Sequence, residues 1–192
     1  MIETIVQWDK DLFNFFNHCC YNGPMDFLMY WATNKWTWVP LYAVVLFFIY
    51  SKFKKETLWI LLAVALMVAS TDMISTRVFK NNVKRLRPCQ EAANLSFDVR
   101  TLPDVNCSKY GFVSSHAANT FGLAVFVGLL FYKGKRKVLW IGLAWASFVS
   151  FSRLYLGVHY PLDLVGGAIV GVAFALIWYS IFKNKWKART VQ

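Results

Sequence analysis

The sequence predicts an all-α protein: a polytopic membrane helical bundle of about five transmembrane helices, preceded by an amphipathic interfacial helix. Three observations lead there. Apolar residues make up 57% of the chain and charged residues only 16%, against about 25% in soluble domains. Several uncharged runs approach or reach the roughly 20 residues that a spanning helix needs. Lysine and arginine cluster at alternate ends of those runs, at 52–55, 133–137 and 183–189. The length of 192 residues sets one domain over 1–192.

Residues 1–23 read as a helix lying on the membrane, with Ile2, Ile5, Val6, Leu12, Phe13 and Phe16 on a broad apolar face and acids and amides on the rest. Glu3, Asp9, Lys10 and Asp11 set this stretch apart from a secretory signal. Gly23 and Pro24 end it. The first span falls within 25–51, interrupted at Asn34 and Lys35. The uninterrupted part, 36–50, is short for a crossing, so residues 25–33 either help to cross or lie in the interface with Trp31, Trp36 and Trp38. The second span is 57–76, with Asp72 near its end. The long polar stretch 77–112 follows, then spans at 115–132, 138–153 and 162–182.

The three basic clusters share one side of this topology, with Glu56 the one acid among them. The positive-inside rule makes that side cytoplasmic, C-terminus included, and puts the polar stretches on the opposite, periplasmic or extracellular face. Topology thus accounts for much of the net charge of +11 without a nucleic-acid partner. It does not account for Arg77, Lys80, Lys84, Arg85, Arg87, Arg100 and Lys109, which outnumber Glu91, Asp98 and Asp104 in the outward region 77–112. Those cations call for a function. The cysteines suggest no metal site: Cys19 and Cys20 are adjacent, with only His18 near, a pattern of interfacial packing.

Three polar stretches carry the candidate chemistry. Residues 80–88 read Lys-Asn-Asn-Val-Lys-Arg-Leu-Arg-Pro. If 77–87 extend the second span as a helix, Lys80 and Arg87 sit two turns apart on one face, and Pro88 ends the helix. Two cations on one face suit an oxyanion, although a basic surface or contact with lipid headgroups would look the same. The second stretch, Val113-Ser114-Ser115-His116, opens the third span. A serine cap and the free N–H groups of a first helical turn cradle an anion, and His116 would sit beside it as a proton donor. The third stretch holds Ser152, Arg153, His159 and Asp163. Arg153 at the end of an uncharged span requires a partner or an aqueous cavity. The four-residue spacing lets Asp163 accept a hydrogen bond from one nitrogen of His159, leaving the other as nucleophile or base.

In order and spacing these stretches resemble the type-2 phosphatidic acid phosphatase (lipid phosphate phosphatase) family. Its Lys-x6-Arg-Pro motif is matched by Lys80, Arg87 and Pro88. Its Pro-Ser-Gly-His motif is matched at Ser114 and His116, with Val113 in place of proline and Ser115 in place of glycine. Its Ser-Arg-x5-His-x3-Asp motif is matched by Ser152, Arg153, His159 and Asp163. The resemblance implies that His159 attacks phosphorus to form a phosphohistidine, that Asp163 orients its ring, and that His116 protonates the leaving lipid oxygen and then activates water. Lys80, Arg87, Arg153, Ser114 and the backbone N–H of Ser115 would bind the phosphate, with no metal and no cofactor. The substrate would be a lipid phosphate or pyrophosphate, such as undecaprenyl pyrophosphate, phosphatidylglycerophosphate, phosphatidate or the phosphate of lipid A, reached among the membrane lipids. An anion transporter or flippase that binds without cleaving is the rival, though no inverted repeat supports it. A catalytically silent scaffold is a third reading, opposed by the intact third motif. Cys89 and Cys107 flank the loop between the first two motifs, on a side where a disulfide and two thiols are both compatible with the sequence. Oligomeric state is not legible.

Overall fold

The computed structural model describes residues 1–19, 21–103, 105–132 and 136–187, without the side chains of Ile2 and Lys187. Cys20 and Asp104, named above, and Lys133, Lys135 and Arg189 of the basic clusters lie outside the described residues. The helices are α1 (Ile2–His18), α2 (Gly23–Thr33), α3 (Val39–Phe53), α4 (Thr57–Met73), α5 (Asn81–Val83), α6 (Pro88–Glu91), α7 (Ser115–Phe131), α8 (Lys137–Tyr155) and α9 (Pro161–Lys187). By length and composition, the stretches Lys35–Val83, Lys137–Tyr155 and Pro161–Trp186 can cross a membrane, and Ser115–Phe131 is a shorter apolar helix.

The first of those stretches is two helices. The chain reverses at Lys54, whose φ of 50° takes it out of the helical region. Phe53 at the end of α3 then meets Phe131 at the end of α7, whereas Thr71 near the end of α4 bonds Asn119 near the start of α7 (2.5 Å). Helix α7 is central, packed by α4, α8 and α9. Its small residues permit this: Ala117, Ala118, Gly122, Ala124 and Gly128 are buried along it. The approach of α9 is close enough that a Cβ at Gly167 or Gly171 would overlap the carbonyls of Ser114 and Ala118.

Asn34 decides the fate of residues 25–51. Its side chain accepts the Trp36 N–H (3.0 Å) and starts a 3₁₀ turn at Lys35–Trp38, so the backbone breaks instead of continuing as one helix. Helix α2 is therefore a separate element laid against α8, and α3 is the longer and more apolar of the two.

One expectation is corrected. Residues 77–87 are not one α-helix. A π-helical segment, Ile74–Lys80, continues α4 into α5, and Lys84 ends the run in the left-handed conformation (φ 50°). Residues 85–87 then run extended beside 109–111: Arg87 N–H donates to the Lys109 carbonyl (3.2 Å) and Gly111 N–H to that of Arg85 (2.9 Å). Pro88 opens α6 rather than closing a helix, as a proline can where its missing N–H is not needed. Helix α1 keeps Glu3, Gln7 and Asp11 exposed but buries one acid and one amide. Asp9, Phe13 and Asn17, one turn apart in series, form its buried face, while Ile5, Val6, Trp8, Leu12 and Phe15 are exposed.

Asn17 clips the long loop to the bundle. Its side-chain amide donates to the carbonyls of Arg100 (3.0 Å) and Tyr155 (2.8 Å), and its oxygen accepts the Arg100 N–H (2.8 Å). A disulfide joins Cys89 to Cys107 across the same loop. Asn17→Ala removes three hydrogen bonds at once, one of them fully buried, and a buried group left unpaired costs about 1–3 kcal/mol. The expected outcome is a clear drop in the thermal unfolding midpoint of the detergent-solubilised protein, with helix content unchanged by circular dichroism.

Candidate active site

The motif residues gather at the end of the bundle where α7 and α9 begin, opposite the end that carries Lys52, Lys54, Lys55, Lys137, Lys183 and Lys185. Ser114 caps α7, accepting the Ala117 N–H at 3.4 Å. Its own N–H donates to the main-chain carbonyl of Asp163 (2.9 Å), which pins the start of α7 to the start of α9. Lys80, carried in by the π-helical extension of α4, donates to the Ser115 hydroxyl (3.0 Å). A glycine at 115 would offer no such acceptor.

Arg87 arrives on the extended segment, not on the face of a helix. It is buried, and its Nε donates to the Tyr110 carbonyl (3.2 Å). Gly111 separates it from Asp163: a Cβ there would lie 2.8 Å from Oδ2 of Asp163 and 3.2 Å from Cγ of Arg87. Arg153 is buried at the end of α8. The partner it requires is Thr33 of α2, whose hydroxyl accepts from Nη1, while its Nε has no partner among the described residues.

His159 and Asp163 are both buried, and Nδ1 of the ring lies 3.3 Å from Oδ2 of the carboxylate. With that carboxylate as acceptor, Nδ1 carries the proton and Nε2 keeps its lone pair. The same Oδ2 accepts the Tyr160 N–H (3.1 Å). His159 sits in the connection before α9. Burial above all, then the cations of Arg87, Arg153, Lys80 and Arg85, holds its ring well below the ordinary histidine range. His116 is exposed on the first turn of α7, within electrostatic reach of Arg153, His159, Arg87 and Lys80. All eight residues singled out in the sequence are thus at one end of the fold.

The structure adds residues that the sequence motifs do not include. Arg85 bonds Asp163 Oδ1 (3.1 Å) and Asp9 Oδ2 (2.6 Å), and stacks 4.2 Å over the Tyr160 ring. Glu91 accepts from Lys10 (2.6 Å) and from the Tyr160 hydroxyl (2.8 Å). Arg85 stands in a basic run with nothing to distinguish it from Lys84. Asp9 did carry a signal, since it shares the helical face of Phe13, where an acid needs a partner.

Among the described residues, no group of three or more histidines, cysteines and acids is placed to hold a metal ion. What the site offers an anion is cationic side chains, a helix N-terminus with unpaired N–H groups, and an imidazole lone pair. Two apolar clefts, of about 220 and 540 Å³, flank α3 and are lined by none of these residues.

The sequence profile of the PAP2 superfamily matches residues 56–187. The chain is 37% identical over 183 residues to the lipid A 4'-phosphatase of Bacteroides thetaiotaomicron, covering 94% of this chain and 80% of that protein. It is 31% identical over 191 residues to the lipid A 4'-phosphatase of Porphyromonas gingivalis, covering 96% and 78%. Among solved structures, the transmembrane PAP2-type phosphatidylglycerolphosphate phosphatase of Bacillus subtilis superposes with a TM-score of 0.73 at 20% identity, over 97% of this chain and 90% of that one. At that identity the likeness speaks for the fold.

The His159 environment sets a direction for stability with pH. Its folded pKa lies below the 6.5 of a free histidine. As pH falls past about 6.5, the unfolded chain therefore takes up a proton that the folded chain refuses. Stability that is present above this point is lost on acidification. The thermal midpoint of the wild type is expected to fall more steeply from pH 7 to pH 5 than that of His159→Gln, measured in the same detergent.

Proposed function

The chain belongs to the PAP2 superfamily, and on that footing we propose that it is a metal-independent lipid phosphate phosphatase working through a phosphohistidine. One observation carries the reading: His159, oriented by Asp163, lies among Lys80, Arg87 and Arg153 beside the N-terminus of α7. In this mechanism Nε2 of His159 donates its lone pair to phosphorus, in line with the lipid oxygen. That P–O bond breaks, and the departing oxygen takes a proton from His116. His116 then accepts a proton from water, whose oxygen attacks phosphorus and breaks the P–N bond. Inorganic phosphate leaves and both imidazoles are restored.

Lys80, Arg87 and Arg153 bear the charge that spreads over the equatorial oxygens, together with Ser114 and the Ser115 N–H. Asp163 keeps the His159 tautomer and stabilises the cation that forms as the ring gives up its lone pair. Ser115 in place of glycine keeps the backbone donor and gives Lys80 an anchor in the resting state. In the membrane, α3, α4, α7, α8 and α9 serve as the five crossings. The basic end faces the cytoplasm, so the site opens to the periplasm or outside. The lipid A 4'-phosphatase names of two relatives support a phosphate monoester on a glycolipid headgroup as the preferred substrate.

The test is phosphate release in detergent from lipid A, undecaprenyl pyrophosphate, phosphatidylglycerophosphate and phosphatidate, with EDTA present. Release from lipid A should be the fastest, insensitive to EDTA and blocked by vanadate. His159→Ala should lower turnover about a thousandfold or more while lipid still binds, and a rapid quench of the wild type should show one phosphate on His159. A wild type that binds these lipids and releases no phosphate would favour the flippase reading instead.

A further inference from the structure

We propose that Arg85, clamped by Asp9 of α1, is a positioning residue for His159, so that the N-terminal helix is a working part of the site. The inference rests on the phosphatase reading above. Asp163 uses one oxygen, Oδ2, for two donors: Nδ1 of His159 (3.3 Å) and the Tyr160 N–H (3.1 Å). Arg85 Nη1 donates to the other oxygen, Oδ1 (3.1 Å). A carboxylate gripped at one oxygen can still turn about its Cβ–Cγ bond, and the long His159 contact would suffer first. The arginine removes that freedom by holding the second oxygen.

Arg85 is itself held from three directions. Nη2 reaches Oδ2 of Asp9 (2.6 Å), Nη1 reaches Asp163, and the guanidinium lies 4.2 Å over the Tyr160 ring. A planar fork between two carboxylates is a geometry that arginine supplies and lysine does not. Asp9 does more than balance charge. Its Oδ1 accepts the N–H of Leu162, a first-turn donor of α9 that the helix itself leaves unpaired (2.8 Å). One carboxylate of α1 therefore fixes both the start of α9 and the arginine that braces Asp163. With both terminal nitrogens committed to carboxylates, Arg85 is poorly placed to bind phosphate, which sets it apart from Arg87 and Arg153.

A bland account competes: Arg85 merely neutralises two buried acids. The two accounts differ in kinetics. Positioning predicts that Arg85→Gln lowers kcat about 10- to 100-fold with KM within about threefold of wild type, the scale expected when a reacting group is misplaced by an ångström. The acid limb of kcat/KM should also move to higher pH. Of the charges facing His159, the cations Arg87, Arg153 and Lys80 would remain, but one cation would be gone and Asp163 would lose its counter-charge. Arg85→Lys should restore the limb and only part of kcat. Asp9→Asn should show the same pattern more weakly. Lys10→Ala loosens α1 at Glu91 without touching Arg85, and should keep the wild-type kcat.

Thermal unfolding of each variant separates folding loss from kinetic loss. An Arg85→Gln protein with a lowered midpoint but unaltered kcat, per folded molecule, and an unaltered pH profile overturns the proposal. If the wild type releases no phosphate from any lipid tested, the functional reading fails by itself. Arg85 is then judged by ¹⁵N NMR of His159: a ring protonated at Nδ1 in the wild type and mixed between tautomers in Arg85→Gln sustains the positioning role. An identical tautomer in both proteins ends it.

Discussion

A carboxylate with no exposure to solvent persists only if its oxygens are claimed by donors, and Asp163 meets that condition by drawing on most of the chain. Its side chain takes donors from His159, from the Tyr160 backbone and from Arg85, and its main-chain carbonyl takes the N–H of Ser114. Four bonds tie the start of α9 to the start of α7, to the connection before α9 and to the segment after α5. Asp163 is therefore as much the keystone of this end of the fold as a partner of one histidine. Satisfying it requires the motif stretches to meet.

The apolar part of the bundle makes that meeting possible by letting backbones approach. In lipid there is little hydrophobic gain from burying a leucine between helices, so small residues and close backbone contact hold the helices together. Alanines and glycines along α7 and the Gly167–Gly171 face of α9 bring the two N-termini within hydrogen-bonding distance. The charges then separate by role. Cations at one end meet carboxylates, hydroxyls and a carbonyl, while those at the other end stand at the termini of the apolar helices.

Much of this could be read from the sequence. Uncharged runs bounded by lysine located α7, α8 and α9 to within a few residues, because a bilayer-facing helix advertises itself by composition. The eight candidate residues stand out in the sequence because they sit at the ends of such runs, where a charge or a histidine needs a reason. What escaped were local backbone decisions. Asn34 breaks a helix by competing for backbone donors, Lys84 turns left-handed without being glycine, and a π-helical stretch has no composition of its own. Those choices put Arg87 on an extended segment and freed Arg85 to reach Asp163. Polar and apolar do not divide α1 into two clean faces, because its buried face mixes an acid, a phenylalanine and an amide, each with a partner.

The clasp between Asp9 and the first turn of α9 spans 153 residues of sequence. During synthesis α1 is made before Arg85, Glu91, Arg100 and Leu162, which it grips in the folded protein. Until α9 is inserted Asp9 lacks the Leu162 N–H, and until α8 is complete Asn17 lacks the Tyr155 carbonyl. Assembly of this end of the protein is thus a late event in its biogenesis. A helix made ahead of all these partners is among the last elements to reach its native place.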